Sequence, residues 1–185
     1  MKSFIQLPRI AAAALFGTFV LAGCGSLCDL RNPQTGQTIP SQFTGTTGLV
    51  QRAHPLPQPA VLRSVETASC AGYDRVVFEF EGGISGYKVE YVDRPIRDCG
   101  AGNVIPVAGD AWLKIHLTPA QAHTDAGQAT VTDRNRVLNY PNARQLVDVC
   151  DFEGNVEWVL GVASPKRFRV VELPNPPRLV MDVKH

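Results

Sequence analysis

The sequence is short of charge of any one sign. Over 185 residues it carries 18 Lys and Arg against 17 Asp and Glu, a formal net charge of +1. Such a balance provides neither the basic stripe that nucleic acid needs nor the polybasic segment that draws a chain to anionic lipid. After residue 24 it also lacks any apolar run long enough to cross a bilayer, which takes about 20 residues as a helix. No amphipathic helix of ordinary length can be traced. The five cysteines form no CxxC pair, so a zinc site is not expected. His54, His116, His123 and His185 show no metal-ligand spacing, and Ser85 in Gly83-Ile84-Ser85-Gly86 lacks the context of a nucleophile elbow. No metal, cofactor or catalytic residue is therefore expected.

One apolar run is present, at the start. Lys2 and Arg9 precede Ile10 to Ala22, a core of about 13 residues, and small residues then lead into Cys24. This charge, core and small-residue layout is that of a secretory signal. Leu21-Ala22-Gly23-Cys24 resembles the bacterial lipobox. The resemblance implies cleavage before Cys24 and a diacylglyceryl thioether on its sulfur, anchoring the chain to the extracytoplasmic side of a cell membrane. Each buried methylene contributes about 0.8 kcal/mol, so two or three acyl chains hold a domain on the bilayer.

Removing residues 1–23 takes away Lys2 and Arg9 and leaves 16 basic against 17 acidic residues. The remaining length suits one well-buried core. If Cys24 carries lipid, then Cys28, Cys70, Cys99 and Cys150 remain, an even number in an exported chain and a sign of disulfides. Residues 24–60 read as a flexible tether, rich in Pro, Gly, Thr, Ser and Gln. As a free coil of about 35 residues it would span roughly 30–35 Å. If Cys28 pairs with a domain cysteine, part of it is held on the domain instead.

From Val61 the pattern turns to period two, the mark of half-buried strands. Val76, Phe78 and Phe80 alternate with Arg75, Glu79 and Glu81. Tyr87, Val89 and Tyr91 alternate with Lys88 and Glu90, and Leu113, Ile115 and Leu117 with Trp112, Lys114 and His116. Val156 to Val162, Phe168 to Leu173 and Leu179 to Val183 repeat the pattern. Weaker strands are expected at Val61–Glu66, Val104–Val107 and Gln145–Val149. Gly82-Gly83 and Ser85-Gly86 mark a turn, and Pro174-Asn175-Pro176-Pro177 must be a connection. Thr118 to Ala122 suits a short turn of helix, with Pro119 at its first position. The expected fold is an all-β, compact two-sheet β-sandwich of seven to nine short strands over residues 61–185.

Three groups of residues are candidates for binding. Asp151 and Glu153 would share one strand face, joined by Glu157, and could receive a cation or amine; the competing expectation is ion pairs to Arg75, Arg169 or Arg178. Trp112 should point away from the core and offer a stacking surface. Tyr140 lies in the longest irregular stretch, Thr118 to Arg144, with His123. Hairpin geometry also predicts a disulfide: if Arg75–Glu81 pairs with Tyr87–Val92, Cys70 comes close to Cys99, with Cys70–Cys150 as the competing pairing.

Asp74 to Gly82 resembles the opening strand of AMIN and AMIN-like domains, and Phe168 to Leu173 with Pro176 to Val183 resembles their closing hairpin. Tyr87 to Val92 and Asp151-Phe152-Glu153-Gly154 are similar to AMIN-like lipoproteins in particular. The resemblance implies an all-β module of the kind found beside cell-wall amidases and secretins, localising partners in the envelope by binding peptidoglycan. It supplies no catalytic residue, so binding of peptidoglycan or a wall-associated protein is the expected function. The alternatives are an envelope hydrolase built around Asp151, Glu153 and His123, and a scaffold that binds only proteins.

Overall fold

Alternating apolar residues build eleven strands in the computed structural model, which describes residues 26–31, 36, 39 and 42–185. They are β1 (Val50–Arg52), β2 (Ala60–Cys70), β3 (Tyr73–Glu81), β4 (Gly86–Val92), β5 (Ala111–Thr118), β6 (Ala120–Gln121), β7 (Asn135–Val137), β8 (Ala143–Phe152), β9 (Asn155–Val162), β10 (Phe168–Pro174) and β11 (Pro177–Lys184). One sheet has the order β1-β4-β5-β9-β8-β7, the other β10-β11-β3-β2-β6. Their inner faces meet in a single core in which Leu62, Phe78, Leu113, Ile115, Trp158, Leu160 and Met181 are fully buried. Phe78 and Trp158, from opposite sheets, meet edge to face at 6.3 Å. The expected two-sheet sandwich is present, with eleven strands instead of seven to nine.

The chain changes sheet where a hairpin was expected. β3 pairs with β2 and β11, whereas β4 pairs with β1 and β5. Residues 82–85 therefore carry the chain from one sheet to the other, and the register that would bring Cys70 to Cys99 does not exist. The Cys70–Cys99 pairing is corrected on that ground. Cys70, at the end of β2, is bonded to Cys28 with its Cα 5.6 Å away, and Cys99 is bonded to Cys150 of β8 with a Cα separation of 5.3 Å. The competing Cys70–Cys150 pairing is absent as well.

Part of the outer face of the five-stranded sheet is covered. Leu27, Leu30 and Ile39 pack on Val77, Leu173 and Val180. Arg75, expected on an open face, is buried there and shares Asp182 with Arg169. Arg75 also donates to the carbonyls of Leu27 and Cys28, and Arg169 to that of Gln42. Further along, Thr46 bridges Phe168, and β1 pairs with β4. The described residues of the 24–60 segment thus lie on the domain.

Two local expectations also change. Thr118 to Ala122 forms no helix; Ala120 and Gln121 pair in parallel with Ala60 and Val61. Val104–Val107 is not a strand, and only Val104 bridges, to Arg97. Pro174 and Pro177 do frame a two-residue turn between β10 and β11, as two prolines flanking Asn175-Pro176 require.

Candidate functional site

A cleft of about 760 Å³ opens where β4 begins and β5 ends, walled by residues 51–55. Gly86 makes this corner possible. A Cβ there would sit 2.6 Å from the Thr118 carbonyl oxygen and 3.2 Å from the His54 nitrogen, so only glycine lets three backbones converge. Gln51, Lys88, His116 and Glu157 lie opposite one another in register across β1, β4, β5 and β9. Because side chains alternate, this row shares the outer face of the sheet, while neighbours such as Val89, Ile115 and Leu117 point into the core. His116 Nε2 donates to Asn155 Oδ1 at 2.9 Å, and Lys88 Nζ lies 2.5 Å from Glu90 Oε1. The cleft lining contains Arg52, His54, Lys88 and His116 and no carboxylate.

Glu172 of β10 fastens the cleft wall from the other sheet. Its Oε1 accepts from Tyr87 Oη at 2.9 Å and from His54 Nε2 at 3.1 Å, and Arg52 lies 3.1 Å away. Burial, then the hydrogen bond to Glu172 and its charge, pushes the Tyr87 phenol up to about 12, so it remains a proton donor at neutral pH. His54 and Arg52 fell in the segment read as tether. The only sequence signal for them is the cluster of basic residues just before β2.

The residues singled out from sequence are placed differently. Trp112 does lie on the outer face, but residues 93–110 cover it: its Nε1 donates to the Val107 carbonyl at 3.1 Å and the Arg94 guanidinium stacks 4.1 Å over its ring. Tyr140 packs against the main core and its hydroxyl lies 3.2 Å from Thr67 Oγ1. Asp151 and Glu153 do not form a carboxylate pair. β8 stops at Phe152, and Glu153 takes a φ of 49° in the turn with Gly154, which breaks the alternation. Glu157 pairs with Lys114 instead. The expected arginine partners are elsewhere too, Arg75 and Arg169 on Asp182 and Arg178 on Glu79. Cys24 lies outside the described residues.

Asp151 belongs to a different cluster. It accepts from the Ala122 amide and His123 Nδ1, each at 2.9 Å, and from Arg134 at 3.0 Å. Arg134 also reaches Asp148 at 2.8 Å. Burial alone would raise the Asp151 carboxyl, but the bonds from Ala122, His123 and Arg134 outweigh it and hold the group below the usual carboxylate range. At Asp148 burial prevails over the attraction of Arg134 and pushes the carboxyl up to about 6. His123 and Asp151 make a carboxylate–imidazole hydrogen bond, the pairing that an acyl-transfer triad would complete with a nucleophile. Among the described residues no hydroxyl or thiol is hydrogen-bonded to that ring. The visible work of the cluster is to fasten the 118–144 stretch to β8. Among the described residues no group of three or more His, Cys, Asp or Glu is placed to hold a metal ion.

Asp74 to Glu81 lies in β3, at the centre of the five-stranded sheet, and Phe168 to Val183 supplies its β10–β11 pair. Neither curated proteins nor solved structures include a match to the chain. The sequence profile of the AMIN-like domain matches residues 60–185, from the first residue of β2 through β11, and the chain belongs to the AMIN-like domain family.

Proposed function

We propose that this protein is a lipid-anchored, non-catalytic binding module of the cell envelope, held to the membrane through Cys24 and recognising peptidoglycan or a wall-associated protein. The observation that carries the reading is the cleft beside β1 and β4 on a domain of the AMIN-like family, a membership that suggests an envelope-related binding module. The two disulfides support an oxidising compartment, since such bonds are rare where thiols are kept reduced. The signal-like layout of residues 1–24 supports export and acylation.

Retention of the protein on purified sacculi tests the wall reading. Retention no greater than that of a neutral control protein removes peptidoglycan as the ligand and leaves a wall-associated protein. Cys24→Ala tests the anchor: lipid label should be lost, and the protein should leave the membrane fraction or persist as precursor. Unchanged labelling and membrane retention would defeat it.

A further inference from the structure

We propose that the cleft beside β1 and β4 binds an extended peptide through a carboxylate, with Lys88 as the principal charge partner. The inference rests on the wall-binding reading for the source of the peptide. The lining holds Arg52, Lys88 and the imidazoles of His54 and His116, with no carboxylate among them. The nearest carboxylates on this face are held by cations, Glu90 by Lys88 and Glu157 by Lys114. The carboxylates that engage these residues approach from outside the lining: Glu172 holds Arg52 and His54, and Glu90 holds Lys88. The two engagements differ. Glu172 is mostly buried and accepts three donors, so His54 is committed to the wall, and Arg52, although its side chain is 62% exposed, shares that same buried carboxylate. The Lys88 side chain is 44% exposed and its pair with Glu90 is a surface pair, of the kind that contributes little. A ligand carboxylate can therefore take the Lys88 ammonium at small cost, with His116 beside it in the same cross-strand row.

The backbone around the cleft favours a peptide. β1 is the outermost strand of its sheet, and among the described residues nothing pairs with its far edge. Open main-chain N–H and C=O groups on an edge accept an added strand, and an extended peptide is the ligand that uses them. The cleft volume falls in the range of sites that enclose small ligands.

The test uses the full-length chain in detergent micelles and isothermal titration calorimetry. Three probes are compared: a stem tetrapeptide released from sacculi, the same peptide with every carboxylate amidated, and an ordinary linear tetrapeptide with a free C-terminus. Carboxylate peptides should bind, with the amidated form at least about tenfold weaker, the scale of one lost charge-assisted hydrogen bond. Lys88→Glu should weaken the acidic probes by more than about tenfold, Lys88→Gln by less, and Lys88→Arg should preserve binding. Stronger binding of the stem peptide assigns the ligand to the wall, and stronger binding of the ordinary peptide assigns it to a protein tail. Equal binding of the amidated form, full binding by Lys88→Glu with a wild-type melting curve, or no binding of any probe overturns the proposal. Retention on sacculi without peptide binding would leave the wall reading standing and remove this one. Peptide binding without retention would do the reverse.

Discussion

Replacing Asp182 by asparagine should be among the costliest single changes in this domain that leave side-chain volume almost unchanged. The carboxylate accepts Arg75 Nε at 2.6 Å, a second Arg75 nitrogen at 2.9 Å and Arg169 Nε at 2.8 Å. Both Arg75 and Asp182 side chains are inaccessible to solvent. Asparagine keeps one acceptor oxygen but turns an NH₂ toward a guanidinium, and it removes the negative charge that two buried arginines share. Removing one member of a buried ion pair costs about 3–5 kcal/mol. Arg75 keeps its bonds to the Leu27 and Cys28 carbonyls and Arg169 its bond to Gln42, which argues for the lower end, about 3 kcal/mol. For a domain of this size that is a fall in Tm of about 6–12 °C. Thermal unfolding followed by circular dichroism at neutral pH, disulfides intact, measures it. Glu81→Gln is the internal control, because it removes an exposed pair with Arg63, a class with a median of about 0–1 kcal/mol. Added salt should leave the Asp182→Asn deficit in place, since buried charges are little screened. A Tm within about 2 °C of wild type, or a deficit no larger than that of Glu81→Gln, would refute the reasoning.

Three further outcomes are expected. Non-reducing peptide mapping should find Cys28 linked to Cys70 and Cys99 to Cys150, and Cys28→Ser with Cys70→Ser should lower stability by about 4 kcal/mol in the chain-entropy model, read by denaturant unfolding. Gly161→Ala would place a Cβ 1.8 Å from the Ala108 carbonyl oxygen, so residues 93–110 must lift away; Trp112 fluorescence should shift to the red, and an unchanged spectrum would contradict the packing. Asp148 has a folded-state pKa of about 6, above the ordinary 3.8, so its favourable contribution is complete at low pH and is lost as pH rises through 6. Asp148→Asn should therefore gain about 2–3 kcal/mol on wild type between pH 4 and pH 7 in denaturant titrations, and a constant difference would count against that shift.

The strands were legible because period two is a local signal. Val76, Phe78, Phe80, Leu113, Ile115 and Leu117 all lie in the core where alternation puts them. Alternation does not say which strand pairs with which. Gly82-Gly83 and Ser85-Gly86 look the same in sequence whether they close a hairpin or carry the chain to the other sheet, and the cysteine pairing followed the wrong choice. The same limit explains Arg75. A charged residue in alternation reads as solvent-facing, but here that face is covered by residues more than 40 positions earlier in the chain. The cleft was the least legible feature, because Arg52 and His54 acquire meaning only when β1 is laid beside β4 and Glu172 reaches them from the opposite sheet.

The Cys28–Cys70 bond also sets how far the domain can stand from its anchor. With Cys24 acylated as proposed, four Cα–Cα steps separate the lipid from a covalent point on the domain, a maximum reach of about 15 Å. The leash is shorter than the domain it holds. Cys70 lies opposite Tyr73, at the start of β3, whose nine residues run roughly 30 Å to Glu81 before the chain turns to Gly86 at the cleft. With that anchor the lipid would sit near the Cys70 end of β2 and β3, and the cleft lies at the other end of these strands. A ligand reaching the cleft would then meet the domain at the end remote from its lipid.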